Sequence, residues 1–229
     1  MKNQLFFLLS ICFCVNSLAQ KSNLYVKGGL NLSNISSINQ SNYDDVKTIT
    51  GYHVGALLSI PLRNTIFIQP GLLISEKGSK MTKGKETDSV WFEATAKPLY
   101  IELPVSLVST IVTQNPNISF YVGGGLYAAF GIGGNNKGKY QTGGSTVTFD
   151  DKIKFNEEST SPADYSTWAG LGHMKTFDIG FISSVGMDAG KFSLNLAYSY
   201  GFLSVANEKE TDDKNRNRVF SFGIGYRIL

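Results

Sequence analysis

The sequence predicts an all-β fold, an eight-stranded antiparallel transmembrane barrel with short periplasmic turns and long extracellular loops. Three observations carry that expectation. Apolar residues recur with period 2 along most of the chain, the connections alternate in length, and composition favours strands, with 15 Phe, 11 Tyr and 24 Gly against 6 Pro.

The clearest alternation is FSLNLAYSYGF at 192–202, with Phe192, Leu194, Leu196, Tyr198, Tyr200 and Phe202 on one face and Ser193, Asn195 and Ser199 on the other. The final segment repeats it, setting Phe220, Phe222, Ile224 and Tyr226 against Ser221, Gly223, Gly225 and Arg227. The same test predicts six more strands, near 24–34, 50–60, 65–77, 97–110, 118–132 and 175–187. A tilted membrane-crossing strand needs about 9–11 residues, and eight strands make the smallest usual barrel.

The connections PLRN, IVTQNPN and DAGK are short, whereas those near 35–49, 78–96, 133–174 and 203–217 are long and polar. Strict alternation of this kind is the outer-membrane pattern. One strand face is apolar and the other small and polar, which suits lipid outside and a polar lumen inside better than a soluble barrel.

The first residues form a separate object. Lys2, the apolar run Leu5 to Val15 and Ser17-Leu18-Ala19 read as a cleaved signal peptide over 1–19, leaving a barrel domain over 20–229. Both cysteines, Cys12 and Cys14, fall inside that peptide, so the mature chain holds no disulfide and no thiolate zinc site.

Strand parity assigns an inside. In YIELPV at 100–105, Leu103 and Val105 take the lipid face, so Tyr100, Glu102 and Pro104 face the lumen. The same count places Lys27, His53, Gln69, Asp178, Asn195 and Arg227 inside. A barrel of eight strands has room only for side chains, so these residues are expected to form a structural polar plug. Glu102 is expected to pair with Lys27 or Arg227. Pro104 and Pro70 are expected at a bulge or near a barrel end, because proline gives no N–H to a ladder.

The segments 51–80 (GYHVGALLSIPLRNTIFIQPGLLISEKGSK) and 99–107 (LYIELPVSL), with 120–131, 178–202 and 217–229, resemble the outer-membrane β-barrel family common in Bacteroidetes, labelled porin family or PorT-like. Its most specific element is Tyr-x-Glu-x-Pro at Tyr100, Glu102 and Pro104. The chain departs from that pattern at Ile228 and Leu229, which stand where the family carries an aromatic residue of the assembly signal. The resemblance implies an outer-membrane location more than an activity, although the PorT group is linked to protein secretion.

No catalytic residue, cofactor site or metal site is expected. His53 and His173 lie in no hydrolase pattern, Gly123-Gly124-Gly125 lies within a strand rather than a phosphate loop, and Asp150-Asp151 reads as a solvated pair. The expected role is non-enzymatic: structural, binding or secretion-accessory. Expected partners are outer-membrane lipid, the barrel-assembly machinery and a protein or ligand at loop 133-174, where VTFDDKIKF (147–155) suggests a hairpin above the membrane. A net charge of +3 gives no reason to expect nucleic acid. Two alternatives stay open: a lipid-modifying outer-membrane barrel enzyme, and a soluble periplasmic lipocalin-like ligand binder.

Overall fold

The computed structural model describes residues 22–36, 44–88, 91–142, 144–155, 173–205 and 215–229. The expected signal peptide and parts of all four long connections lie outside the described residues.

Among the described residues thirteen strands follow in order: β1 (Asn23–Ser36), β2 (Asp45–Lys47), β3 (Ile49–Arg63), β4 (Ile66–Glu76), β5 (Ser79–Lys83), β6 (Trp91–Val112), β7 (Ile118–Thr142), β8 (Ser145–Lys152), β9 (Lys154–Phe155), β10 (His173–Met174), β11 (Phe177–Ala189), β12 (Phe192–Gly201) and β13 (Arg216–Arg227). Eight of them form a closed antiparallel ring, in the order β1, β3, β4, β6, β7, β11, β12, β13 and back to β1. They correspond one for one to the eight strands the alternation predicts. Closure satisfies every edge that a membrane would otherwise leave unpaired.

Side-chain direction follows the predicted parity. Leu103 and Val105 are 43% and 47% exposed on the outer wall, whereas Glu102 next to Leu103 is 3% exposed. The apolar faces point outward, which is opposite to a lipocalin-like cavity and correct for lipid. Aromatic contacts at the two ends of that wall, Phe192 with Tyr226 at 5.3 Å and Phe130 with Phe177 at 5.2 Å, sit where a barrel meets the two membrane interfaces.

The prolines are placed differently from expectation. Register shifts fall at Pro61/Arg63 and at Leu99/Tyr100, not at Pro70 or Pro104. Pro104 sits within β6, and the β4–β6 ladder simply lapses between Pro70↔Val105 and Leu73↔Glu102 without changing register. Pro70 occupies a similar lapse between Leu57↔Gly71 and Ile60↔Ile68. A residue with no donor is tolerated where the ladder omits a pair. Gly71 makes room there, since a Cβ at that position would lie 3.1 Å from Pro104 Cγ.

Strands β6 and β7 continue well beyond the membrane. With β2, β5 and β8 they build a cap, and β7 and β8 form the hairpin expected near 147–155, from Asn135↔Lys152 to Thr142↔Ser145. A small apolar core that includes Met81, Phe92, Ile153 and Met174 fills the cap, with Ile35 and Val205 joining from the strand ends of the barrel. The long polar connections of the sequence are therefore partly folded structure.

Candidate functional site in the barrel lumen

The polar residues of the lumen fall into three tiers. The uppermost is held by a lysine that the sequence reading omits. Lys77 follows β4 immediately, and its N–H donates to the Pro98 carbonyl at 3.1 Å. Gly78 then adopts φ +140, and a Cβ there would lie 2.0 Å from the Ala96 carbonyl oxygen, so only glycine fits this bend. The bend leaves Lys77 inside the bore, where its Nζ lies 3.0 Å from Glu102 Oε2, with the two side chains 1% and 4% exposed.

The expected partners of Glu102, Lys27 and Arg227, are thus replaced by Lys77. Both engage other groups. Lys27 Nζ donates to Asn195 Oδ1. Arg227 lies at the short-turn end, where its Nη2 donates to the Gly190 carbonyl at 2.9 Å.

Aromatic rings complete the upper tier. Lys77 Nζ stands 4.3 Å from the Tyr127 ring centroid and 5.7 Å from that of Tyr100, within cation–π range. The Tyr127 hydroxyl donates to Asp178 Oδ2 at 3.0 Å, and Asn217 Nδ2 donates to the same oxygen at 2.9 Å. Glu102 and Asp178 are therefore linked through one cation and one phenol ring. The recess for that ring comes from Gly180, where a Cβ would lie 2.6 Å from Tyr127 Cε1.

Asn31 organises the middle tier. Its Oδ1 accepts from Ser221 Oγ and meets His53 Nδ1, both at 2.9 Å, while its Nδ2 donates to Ser75 Oγ at 3.0 Å and to the carbonyl of Glu76 at 3.0 Å. The contact with an amide oxygen requires a proton on His53 Nδ1.

The lowest tier contains Lys27, Asn195 and Tyr121. Asn195 Nδ2 donates to the Tyr121 hydroxyl at 3.1 Å, which lies 3.3 Å from Ser193 Oγ. Gln69, Asp188 and Ser106 line the same vestibule, with about 60 Å³ available to water centres, enough for a few waters. A second void of about 20 Å³ lies above it among Lys27, His53, Lys77 and Glu102, room for about one water.

The structure thus gathers Lys27, His53, Glu102, Asp178 and Asn195 into the plug, keeps Gln69 at its wet lower end and sets Arg227 at the mouth. Asn31, Lys77 and Asn217 complete it. Their parity was readable, since Lys77 shares the count of Gln69, and Asn31 that of Lys27.

Among the described residues no three His, Cys, Asp or Glu side chains come together as a metal site. Asp150 instead forms an exposed ion pair with Lys137 at 2.8 Å, and His173 is buried in β10 beside β9.

A closed ring with an apolar outside and a polar inside is the arrangement of an outer-membrane barrel. The family model described as the outer membrane protein beta-barrel domain matches residues 18–207. The chain belongs to that family. Its place is the outer membrane.

Solved structures with a similar chain path include the following outer-membrane proteins. Neisserial surface protein A is 13% identical, with 91% of this chain and 100% of that one covered at a TM-score of 0.43. Ail, the attachment invasion locus protein of Yersinia pestis, in complex with the heparin analogue sucrose octasulfate, is 12% identical, with 91% and 100% covered at 0.39. The outer membrane protease OmpT from Escherichia coli is 8% identical, with 90% and 96% covered at 0.34. No curated protein matches.

Proposed function

We propose that this is a non-enzymatic outer-membrane barrel that does not conduct solutes, and whose working surface is the folded cap above the membrane. The observation that carries this reading is the buried Lys77–Glu102 pair at 3.0 Å, set across the bore against Tyr100 and Tyr127. Charges paired in a narrow lumen leave no continuous water path for a hydrated solute. His53 is committed to Asn31 rather than to a nucleophile, which favours a structural role for it.

The cap offers what a binding protein needs, a rigid platform with a hairpin displayed at 135–152. The sequence resemblance to PorT-like barrels of Bacteroidetes supports a secretion-accessory partner for that surface.

Single-channel recording in planar bilayers tests the closed lumen. Wild type is expected to give no conductance steps, and the Lys77→Ala/Glu102→Ala pair is expected to give small ones. Steady wild-type channels would overturn the reading. Deleting 136–151 and asking which envelope proteins no longer co-purify, with the boiling-dependent gel shift retained, tests the cap as the partner surface.

A further inference from the structure

The outward wall carries one cluster of cations that the lumen and cap do not use. On β12 and β13, Tyr200 and Arg218 are cross-strand partners, and Asn34 of β1 is the partner of Arg218 on its other side. Partners in an antiparallel ladder share a face, so these three form a row across the wall. Arg216 joins from one step above, donating from Nη1 to the Tyr200 hydroxyl at 2.8 Å. Both guanidiniums approach the Tyr200 ring, with Cζ at 5.8 Å for Arg216 and 5.6 Å for Arg218.

This row stands at a particular height. Below it runs an apolar row, Tyr198, Phe220 and Leu32, and below that another, Leu196, Phe222 and Leu30. Beside it Tyr200 packs edge-on against Phe202 at 6.3 Å, within the aromatic belt of the long-loop end. The cations thus sit where lipid tails give way to headgroups of the outer leaflet.

Among the described residues these cations also differ from the others on the wall. Lys97, an outward cation on β6, is neutralised by Glu76 at 3.3 Å. Among the described residues, neither Arg216 nor Arg218 has a carboxylate at ion-pair distance. Two arginines held on one phenol present planar donor forks, the geometry that suits phosphate oxygens better than a lysine does.

We propose that Tyr200, Arg216 and Arg218 bind the phosphate of an outer-leaflet glycolipid, whose acyl chains lie along the apolar wall of β12, β13 and β1. The phosphate would accept from both guanidiniums while the tails cover the Phe220 and Phe222 rows. Such a lipid would be an annular ligand at a fixed position, distinct from bulk membrane.

Native mass spectrometry of the purified barrel in neutral detergent tests this, using diphosphoryl lipid A and its dephosphorylated form as probes. Wild type is expected to retain the diphosphoryl form about tenfold better or more, since each cation near an anionic surface contributes several-fold. R216Q/R218Q is expected to lose that preference while keeping its boiling-dependent gel shift. R216K/R218K should fall between them, and K97Q should match wild type. Should the double variant fail to fold, R216Q and R218Q singly carry the test.

Equal retention of both lipid forms by wild type would mean that acyl contact alone holds the lipid, and would overturn the phosphate site. So would a folded glutamine variant that binds as wild type does. Complete displacement by millimolar inorganic phosphate would indicate a free-anion site and overturn the glycolipid assignment.

Discussion

The two ends of β6 obey opposite rules. In the membrane its even positions, Tyr100 and Glu102, face a polar lumen, and its odd positions, Leu103 and Val105, face lipid. Above the membrane the same even face carries Phe92, Ala94 and Ala96 into an apolar core, while Glu93, Thr95 and Lys97 occupy the odd face. The inversion falls between Lys97 and Leu99, beside the register shift at Leu99/Tyr100. One continuous strand thus records where its solvent changes from hydrocarbon to water. Which residue type belongs on a face is decided by what surrounds the strand, not by the strand.

Substitutions on either side of that boundary sharpen the contrast. The largest effect is expected from Lys77→Ala, which strands the Glu102 carboxylate in the bore at a cost of about 3–5 kcal/mol. Urea unfolding in lipid vesicles measures it, and Lys77→Met with Glu102→Leu should recover most of the loss. An unchanged Lys77→Ala midpoint would show that the buried pair does not hold the lumen.

Phe92→Ala should cost about 3–5 kcal/mol in the cap while leaving the barrel intact. Faster protease cleavage above the membrane, with an unmoved boiling temperature for the gel shift, is the expected result. If both move together, cap and barrel are one cooperative unit.

A matched pair on the outward face of β6 comes next. Leu103→Lys should cost about 2–4 kcal/mol, because the new charge meets hydrocarbon. Thr95→Lys, on the same face above the boundary, should stay within about 0.5 kcal/mol. Similar costs at both positions would misplace the boundary.

The smallest loss from breaking a contact is expected at the partly exposed Lys80–Glu93 pair of the cap, which closes at 2.9 Å. Glu93→Gln should cost about 1 kcal/mol or less, and salt should erase it.

The barrel strands were legible because lipid imposes period 2 with unusual strictness. His53, Glu102, Asp178 and Asn195 were legible for the same reason, each standing at an inward count. The cap was less so. Its strands extend β6 and β7 with the apolar face reversed, and the ladder skips Ile132 opposite Leu99/Tyr100, so parity beyond that point changes sign in β7. Asn136, fully buried, lies on a count that the lower strand assigns to lipid. Lys77 was missed for a different reason. Its count points inward like that of Gln69, but it follows the last residue of β4, and the bend at Gly78 is what keeps it in the bore beside Glu102. Pairing across a bore depends on heights and turns that alternation along one strand does not encode.

The seam between β1 and β13 joins the two ends of the described chain, and it includes contacts such as Ser221 with Asn31, 190 positions apart. Each other neighbouring pair in the ring is joined by a shorter stretch of sequence. The ring therefore cannot close until its final strand has been made, and until then β1 offers a bare row of donors and acceptors. Closing so long a loop costs entropy before any pairing repays it, which makes this step slow. The seam that finishes the barrel thus spans the longest loop of the ring, and before it forms the chain carries an open edge that another strand could shield.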